Sequence, residues 1–193
     1  MARTPTITQA QILEAARAVF LEQGFNATTV DVAKRAGISS ASIFKHFPTK
    51  EALFFASMSD TSRDRLWTNA LEADIGQGDP RSDLLKIALQ TAAYTEVMLP
   101  RMMLAWSVRQ PGEIVMPPDV ESDFAALTAY LAREMALGRI ARGDPTIPAL
   151  TLFHTVVGFV MSQTLQSTAV HLDTSRFLED FVNLLWRGLD PNE

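Results

Sequence analysis

Between residues 9 and 23 the apolar positions Ile12, Ala15, Ala16, Val19 and Phe20 recur at the three- and four-residue spacings that place them on one face of a helix. The end signals agree. Thr8 is placed to cap the helix, Gln11 to return the capping-box bond, and Ile7 to staple onto Ile12, so the helix should begin at Gln9. Gly24 offers the left-handed residue that closes it, with Phe25 set to fold back on Phe20.

A second apolar set, Val30, Val32, Ala33 and Ala36, follows Thr28 and Thr29, either of which can cap a helix. The helical phase then changes at Ala36-Gly37-Ile38-Ser39: Gly37 can adopt the left-handed conformation that ends one helix, and Ser39 or Ser40 can cap the next. That third helix is expected from about Ser40 to Phe47. Ile38, Ile43 and Phe47 can face the first helix, which leaves Ser40, Ala41, Ser42, Phe44, Lys45 and His46 outside. Two short helices at a sharp turn, the second carrying small and hydroxyl side chains, make a helix-turn-helix whose second helix can enter a DNA major groove closely. Lys45 and His46 can reach phosphates or base edges.

Thr49 is placed to cap a fourth helix carrying Leu53, Phe54, Met58, Leu66, Trp67, Ala70 and Leu71. About 24 residues would span roughly 36 Å and link a small head to a larger body, with the polar stretch Ser57 to Arg65 partly in solvent. Lys50 stands beside the free amides of this helix start, where it can meet a phosphate.

Farther along, Gly76-Gln77-Gly78-Asp79-Pro80 reads as a loop, and Ser82 as the cap of a helix containing Leu84, Leu85, Ile87, Ala88, Leu89, Ala92 and Tyr94. Pro100 is expected to break that helix before a short segment, Arg101 to Trp106, and a proline-rich loop from Pro111 to Pro118. Asp119 should start a helix with Phe124, Leu127, Leu131 and Met135, ending near Gly138. The last two helices are expected over Pro145 to Ser167 and Asp173 to Leu189. The first of these is apolar nearly all round, and a helix of that kind must be covered on every side. In a body this small a partner subunit is the natural second cover.

Composition narrows the function classes. The chain has 193 residues, of which 47% are hydrophobic, and no cysteine. That excludes zinc fingers, disulfide scaffolds and thiol nucleophiles. With no long uninterrupted apolar run and no signal-peptide core after Met1, a cytoplasmic protein without a membrane partner is expected. The net charge of −5 argues at first against nucleic acid, but residues 1–50 carry +3 and the remainder −8. A basic head on an acidic body suits contact with a polyanion at one end. No metal-ligand spacing, phosphate-binding glycine loop or nucleophile elbow occurs, so neither a metal nor a cofactor is expected, nor an enzyme.

Thr8 to Leu53 resembles the N-terminal DNA-binding domain of the TetR family, the tetracycline-repressor-like regulators. The likeness rests on Ala15-Ala16 and Phe20, Gly24-Phe25, Val32-Ala33, Ala36-Gly37-Ile38-Ser39 and the run Ser42 to Leu53. In one departure, Phe44 stands where the family usually has tyrosine, so a hydroxyl often offered to phosphate is missing. The approach from Gly24 to Val32 is also one residue shorter than usual, which leaves open whether Thr28 or Thr29 faces a phosphate.

The resemblance implies an all-α homodimer, with a helix-turn-helix domain over residues 1–50 and a ligand-binding and dimerisation domain over 51–193. Its DNA-contacting set would be Thr28, Thr29, Ser39, Ser40, Ala41, Ser42, Phe44, Lys45, His46 and Lys50. Together with the methionine and aromatic content of the middle, it places Tyr94, Met98, Met102, Met103, Trp106 and Phe124 around a cavity for a small hydrophobic effector, with His154 as a further contact. Phe153, Val156, Val157, Val160, Leu178, Phe181, Val182 and Leu185 would form the dimer interface. The expected activity is repression from a palindromic double-stranded operator, relieved by the effector. An architectural DNA-binding protein without an effector, and an all-α enzyme, are the alternatives.

Overall fold

In the computed structural model the described residues are 7–59, 71, 73–108, 118–165 and 172–192. Among them are eight helices of defined extent and no strand: α1 (Gln9–Gln23), α2 (Thr29–Ala36), α3 (Ser40–Phe44), α4 (Lys50–Met58), α5 (Pro80–Val108), α6 (Pro118–Ala136), α7 (Thr146–Thr164) and α8 (Thr174–Arg187). The chain is all-α. It divides into two compact units, one of Met1–Arg63 with Met98–Ile114 and the other of Asp64–Val97 with Val115–Glu193. The first unit thus runs past residue 50 and includes a later stretch of chain.

The first unit is closed by the stripe read from the sequence. Ile12, Ala16 and Phe20 of α1, Val32 of α2, Ile43 of α3, and Leu53 and Phe54 of α4 form one buried cluster. α1 begins with the expected capping box between Thr8 and Gln11. Gly24 ends it at φ 73°, ψ −174°, a positive φ outside the compact left-handed helical region. Phe25 consequently meets the ring of Phe54 at 4.9 Å, and Phe54 in turn meets Phe20 at 5.1 Å. Arg17 of α1 donates from Nε to the Ser57 carbonyl at 2.9 Å.

α4 departs from its expected length. It stops at Met58, because Ser59 turns to extended backbone at ψ 141°. Ser57, expected at the start of a stretch partly in solvent, is fully buried, with its hydroxyl donating to the Phe54 carbonyl at 2.8 Å. Leu66, Trp67, Ala70 and the polar stretch from residue 60 lie outside the described residues.

In the second unit Leu84, Ile87 and Ala88 of α5, Leu127, Tyr130 and Leu131 of α6, Leu152 and Val156 of α7, and Leu178 and Val182 of α8 share one core. Asp79, not Ser82, caps α5, accepting the Ser82 N–H at 3.1 Å, while Pro80 fills the first position, where its missing N–H costs nothing. Pro100 does not break this helix, which runs for 29 residues in all, from Pro80 to Val108. The loop before it is tied down by buried charge. Glu134 accepts the Gly76 N–H at 2.8 Å and lies 2.9 Å from Arg139 Nε as an ion pair out of line for hydrogen bonding. Arg139 also donates to the Gly78 carbonyl. Asp83 accepts from Tyr130 at 3.0 Å and from Lys86 at 3.0 Å. Burial first, then the Asp83 carboxylate, pushes the Tyr130 phenol far above its ordinary range, so it stays a donor.

Candidate nucleic-acid interface

The helix-turn-helix is assembled by caps. Thr28, rather than Thr29, caps α2: its hydroxyl oxygen accepts the Asp31 N–H at 3.2 Å, and its own N–H donates to the Asp31 carboxylate at 3.0 Å. Gly37 ends the helix at φ 69°, ψ 30°, the left-handed region where a Cβ is strained. The Ile38 N–H reaches the Ala33 carbonyl at 3.0 Å, the long bond of a Schellman turn. Ser39, rather than Ser40, caps α3 by accepting the Ser42 N–H at 3.2 Å, and the Ser39 and Ser42 hydroxyl oxygens lie 2.9 Å apart.

α3 is shorter than expected, with five residues ending at Phe44. Its continuation is a turn in which His46 and Phe47 both donate to the Ile43 carbonyl at 2.9 Å. That turn still delivers Phe47 to the core, and Ile43 is fully buried. Ala41, Phe44, Lys45 and His46 are exposed, and Ser40 and Ser42 half-buried. Phe44 is 48% exposed, an aromatic ring held in water by a buried neighbour.

The head's cations divide by what they touch. Arg35 forms a two-pronged pair with Glu22, both bonds at 3.0 Å, and Arg17 is spent on the Ser57 carbonyl. Lys45 is exposed on the α3 side. Lys50 starts α4, which Thr49 caps by accepting the Ala52 N–H at 3.0 Å. The Lys50 ammonium lies 4.5 Å from the centroid of the Phe25 ring. The sequence reading missed this contact, since two residues 25 positions apart carry no local signal of meeting.

The other expected sites fare differently. Tyr94, Met98, Met102 and Trp106 follow one i, i+4 line on α5. Met98 is buried, Tyr94, Met102 and Trp106 are half-buried, and Met103 is exposed. Phe124 packs on Phe153 at 6.1 Å, while His154, expected on a covered helix, is exposed. A groove of about 340 Å³ in the second unit is lined by other residues, among them Met135, Ile147, Pro148, Leu185 and Leu189.

Of the expected dimer residues, Val156, Val160, Leu178 and Val182 are at most 2% exposed in a single chain. They are core residues and have no surface left for a partner. Phe153, Phe181 and Leu185 are half-buried and Val157 is exposed. The uncovered face of α7 is instead Ile147, Thr151, His154, Val157, Gly158 and Met161, continued by Leu165 just past its end. By length and a mean hydropathy of 1.2 this helix could cross a membrane, but its inner face is buried in the unit's own core.

Two capped helices at a left-handed glycine, with a small, hydroxyl-bearing outer face and a lysine at the next helix start, define a helix-turn-helix DNA-binding protein. Comparison with known proteins gives the family. Residues 12–57 match the description "Bacterial regulatory proteins, tetR family". YvkB of Bacillus subtilis (strain 168), an HTH-type transcriptional regulator, is 33% identical over 195 residues, covering 96% of this chain and 98% of its own. A solved structure that describes the molecular basis for control of antibiotic production by bacterial hormones superposes with a TM-score of 0.68 at 25% identity, covering 97% of this chain and 100% of its own. FadR of Bacillus subtilis, solved in complex with stearoyl-CoA, shares the fold with a TM-score of 0.66 at 19% identity, over 94% of this chain and 99% of its own. The chain belongs to the TetR family of transcriptional regulators.

Proposed function

We propose that this regulator is a cytoplasmic homodimeric repressor that binds a palindromic operator and is released by a small hydrophobic effector. The observation that carries the reading is the outer face of the helix-turn-helix: Ala41 and Ser42 allow close approach to a groove floor, and Lys45, His46 and Lys50 flank them. Two such heads related by a two-fold axis would read half-sites about 34 Å apart or at a multiple of that spacing. The uncovered stripe of α7 supports a partner subunit, since an apolar face of this length is costly to leave in water.

Release by an effector requires that the effector bind the DNA-incompetent state more tightly, and its effect is limited by that difference. The line Tyr94, Met98, Met102 and Trp106 on α5 offers aromatic and methionine side chains suited to an apolar ligand. In FadR the same fold holds stearoyl-CoA, which supports a ligand of apolar character.

The test is a selection of bound sequences from random DNA, followed by affinity measurements over a range of salt. Lys50→Ala should weaken binding to all sequences and lower the salt slope by about one per head, while Ser42→Ala and Lys45→Ala should change sequence preference. Unchanged binding in all three variants would sink the assignment.

A further inference from the structure

We propose that Phe25 is a positioning residue for DNA binding, holding the Lys50 ammonium at the start of α4 in the place from which it meets a phosphate. The proposal rests on the reading of Lys50 as a phosphate contact. Lys50 occupies the first turn of α4, where the positive end of the helix dipole disfavours a cation. No carboxylate pairs with it among the described residues. An unrestrained lysine there would turn outward and sample many rotamers.

The negative face of the Phe25 ring opposes both tendencies. At 4.5 Å from the centroid the ammonium is well within cation–π range, and its N–H groups directed away from the ring remain free to donate to a phosphate. The ring is itself fixed. It stands edge-on to Phe54 at 4.9 Å and 76°, and Phe54 is fully buried against Phe20. The positive φ of Gly24 delivers it there, and the turn is closed by the Ala27 N–H donating to the Gly24 carbonyl at 3.2 Å. The path from sequence to function is therefore Gly24 to Phe25 to Lys50 to phosphate. Ordering the lysine before DNA arrives removes a cost from binding.

The experiment is a double-mutant cycle on the full chain with its selected operator: wild type, Phe25→Leu, Phe25→Tyr, Lys50→Ala and Phe25→Leu/Lys50→Ala. Affinity is measured against salt, and the folded fraction is checked by circular dichroism at the assay temperature. Phe25→Leu should weaken binding by about two- to five-fold for each head that touches DNA, without changing the salt slope, because the phosphate contact is still made but no longer prepaid. Phe25→Tyr should restore wild-type affinity. In the Lys50→Ala background Phe25→Leu should have no further effect. In the free protein, proton NMR should show ring-current shifts of the Lys50 side-chain methylenes that Phe25→Leu abolishes. A Lys50→Ala variant with an unaltered salt slope would overturn the phosphate reading and this proposal with it. An altered slope in Lys50→Ala, combined with wild-type affinity in Phe25→Leu or an equal loss in both backgrounds, would overturn the proposal alone.

Discussion

Thr28 and Thr29 are chemically equivalent as caps, and only the fold separates them: Thr28 takes the extended cap geometry and Thr29 enters the helix. Replacing Thr28 with Ala should cost about 1 kcal/mol of stability, measured by urea unfolding, while Thr29→Ala should cost less. Thr28 also lowers the pKa of Asp31. A hydrogen bond from its side chain, then one from its backbone, holds the Asp31 carboxyl below its ordinary value of 3.8. A group whose folded pKa is depressed contributes stability above its unfolded pKa and loses it as the pH falls through the folded value. The difference in melting temperature between wild type and Asp31→Asn should therefore be constant near neutrality and close as the pH is lowered below 3.8. A difference that persisted in acid would show that the carboxylate charge has no part in the cap. Phe44 belongs to this scale too. Its exposure is set by Ile43, whose burial fixes the rotation of α3 and turns the next side chain to water.

Among the elements, helix limits were legible at the starts of α1 and α4, where a capping hydroxyl met an apolar stripe. They failed where tertiary burial overrode a local signal. Pro100 is the clearest case. It lacks the N–H that would reach the Glu96 carbonyl, yet α5 passes through it, because Met98 and Leu99 beside it are buried and Pro100 and Glu96 are exposed to water that can solvate the orphaned carbonyl. Pro100→Ala should restore that bond and raise the unfolding free energy by up to about 3 kcal/mol, seen as a higher urea midpoint. A lower midpoint would show that the proline is matched to a bend the helix requires. α3 and α4 err in the opposite direction, each shorter than its apolar periodicity suggested. At both ends a polar side chain becomes buried or turned, Ser57 and the turn at His46, and periodicity alone cannot register either event.

For the whole molecule the decisive surface is the outer face of α7. Apolar residues all round a helix require cover on every side, but they do not say which side the chain itself covers. Val156, Val160, Leu178 and Val182 went to the chain's own core, leaving Val157 at 37%, Met161 at 44% and Leu165 at 46% exposure. Gly158 lies on the same face, and a Cβ built there meets open space, so a second helix can approach closely. Under the proposed dimer, Met161→Glu should raise the dimer dissociation constant by about 30-fold or more, measured by sedimentation, with the fold of each chain intact. Val160→Glu, one residue away, should instead unfold the chain, because it places a carboxylate in the core. A wild-type protein that sediments as a monomer at every concentration would remove the dimer from the proposal.

The sequence by itself determined the helical class, the first helix with both its ends, the helix-turn-helix with its left-handed glycine, and the family those residues resemble. These are local matters: a cap acts over three residues and a stripe over a few turns, so the chain carries them without reference to its distant parts. Tertiary structure alone decided which threonine caps, where α4 stops, that α5 survives its proline, and which half of the α7 surface is core. It also decided that Lys50 lies over Phe25. Each of these depends on which side chains are removed from water by residues far along the chain, and burial of that kind is a property of the folded whole.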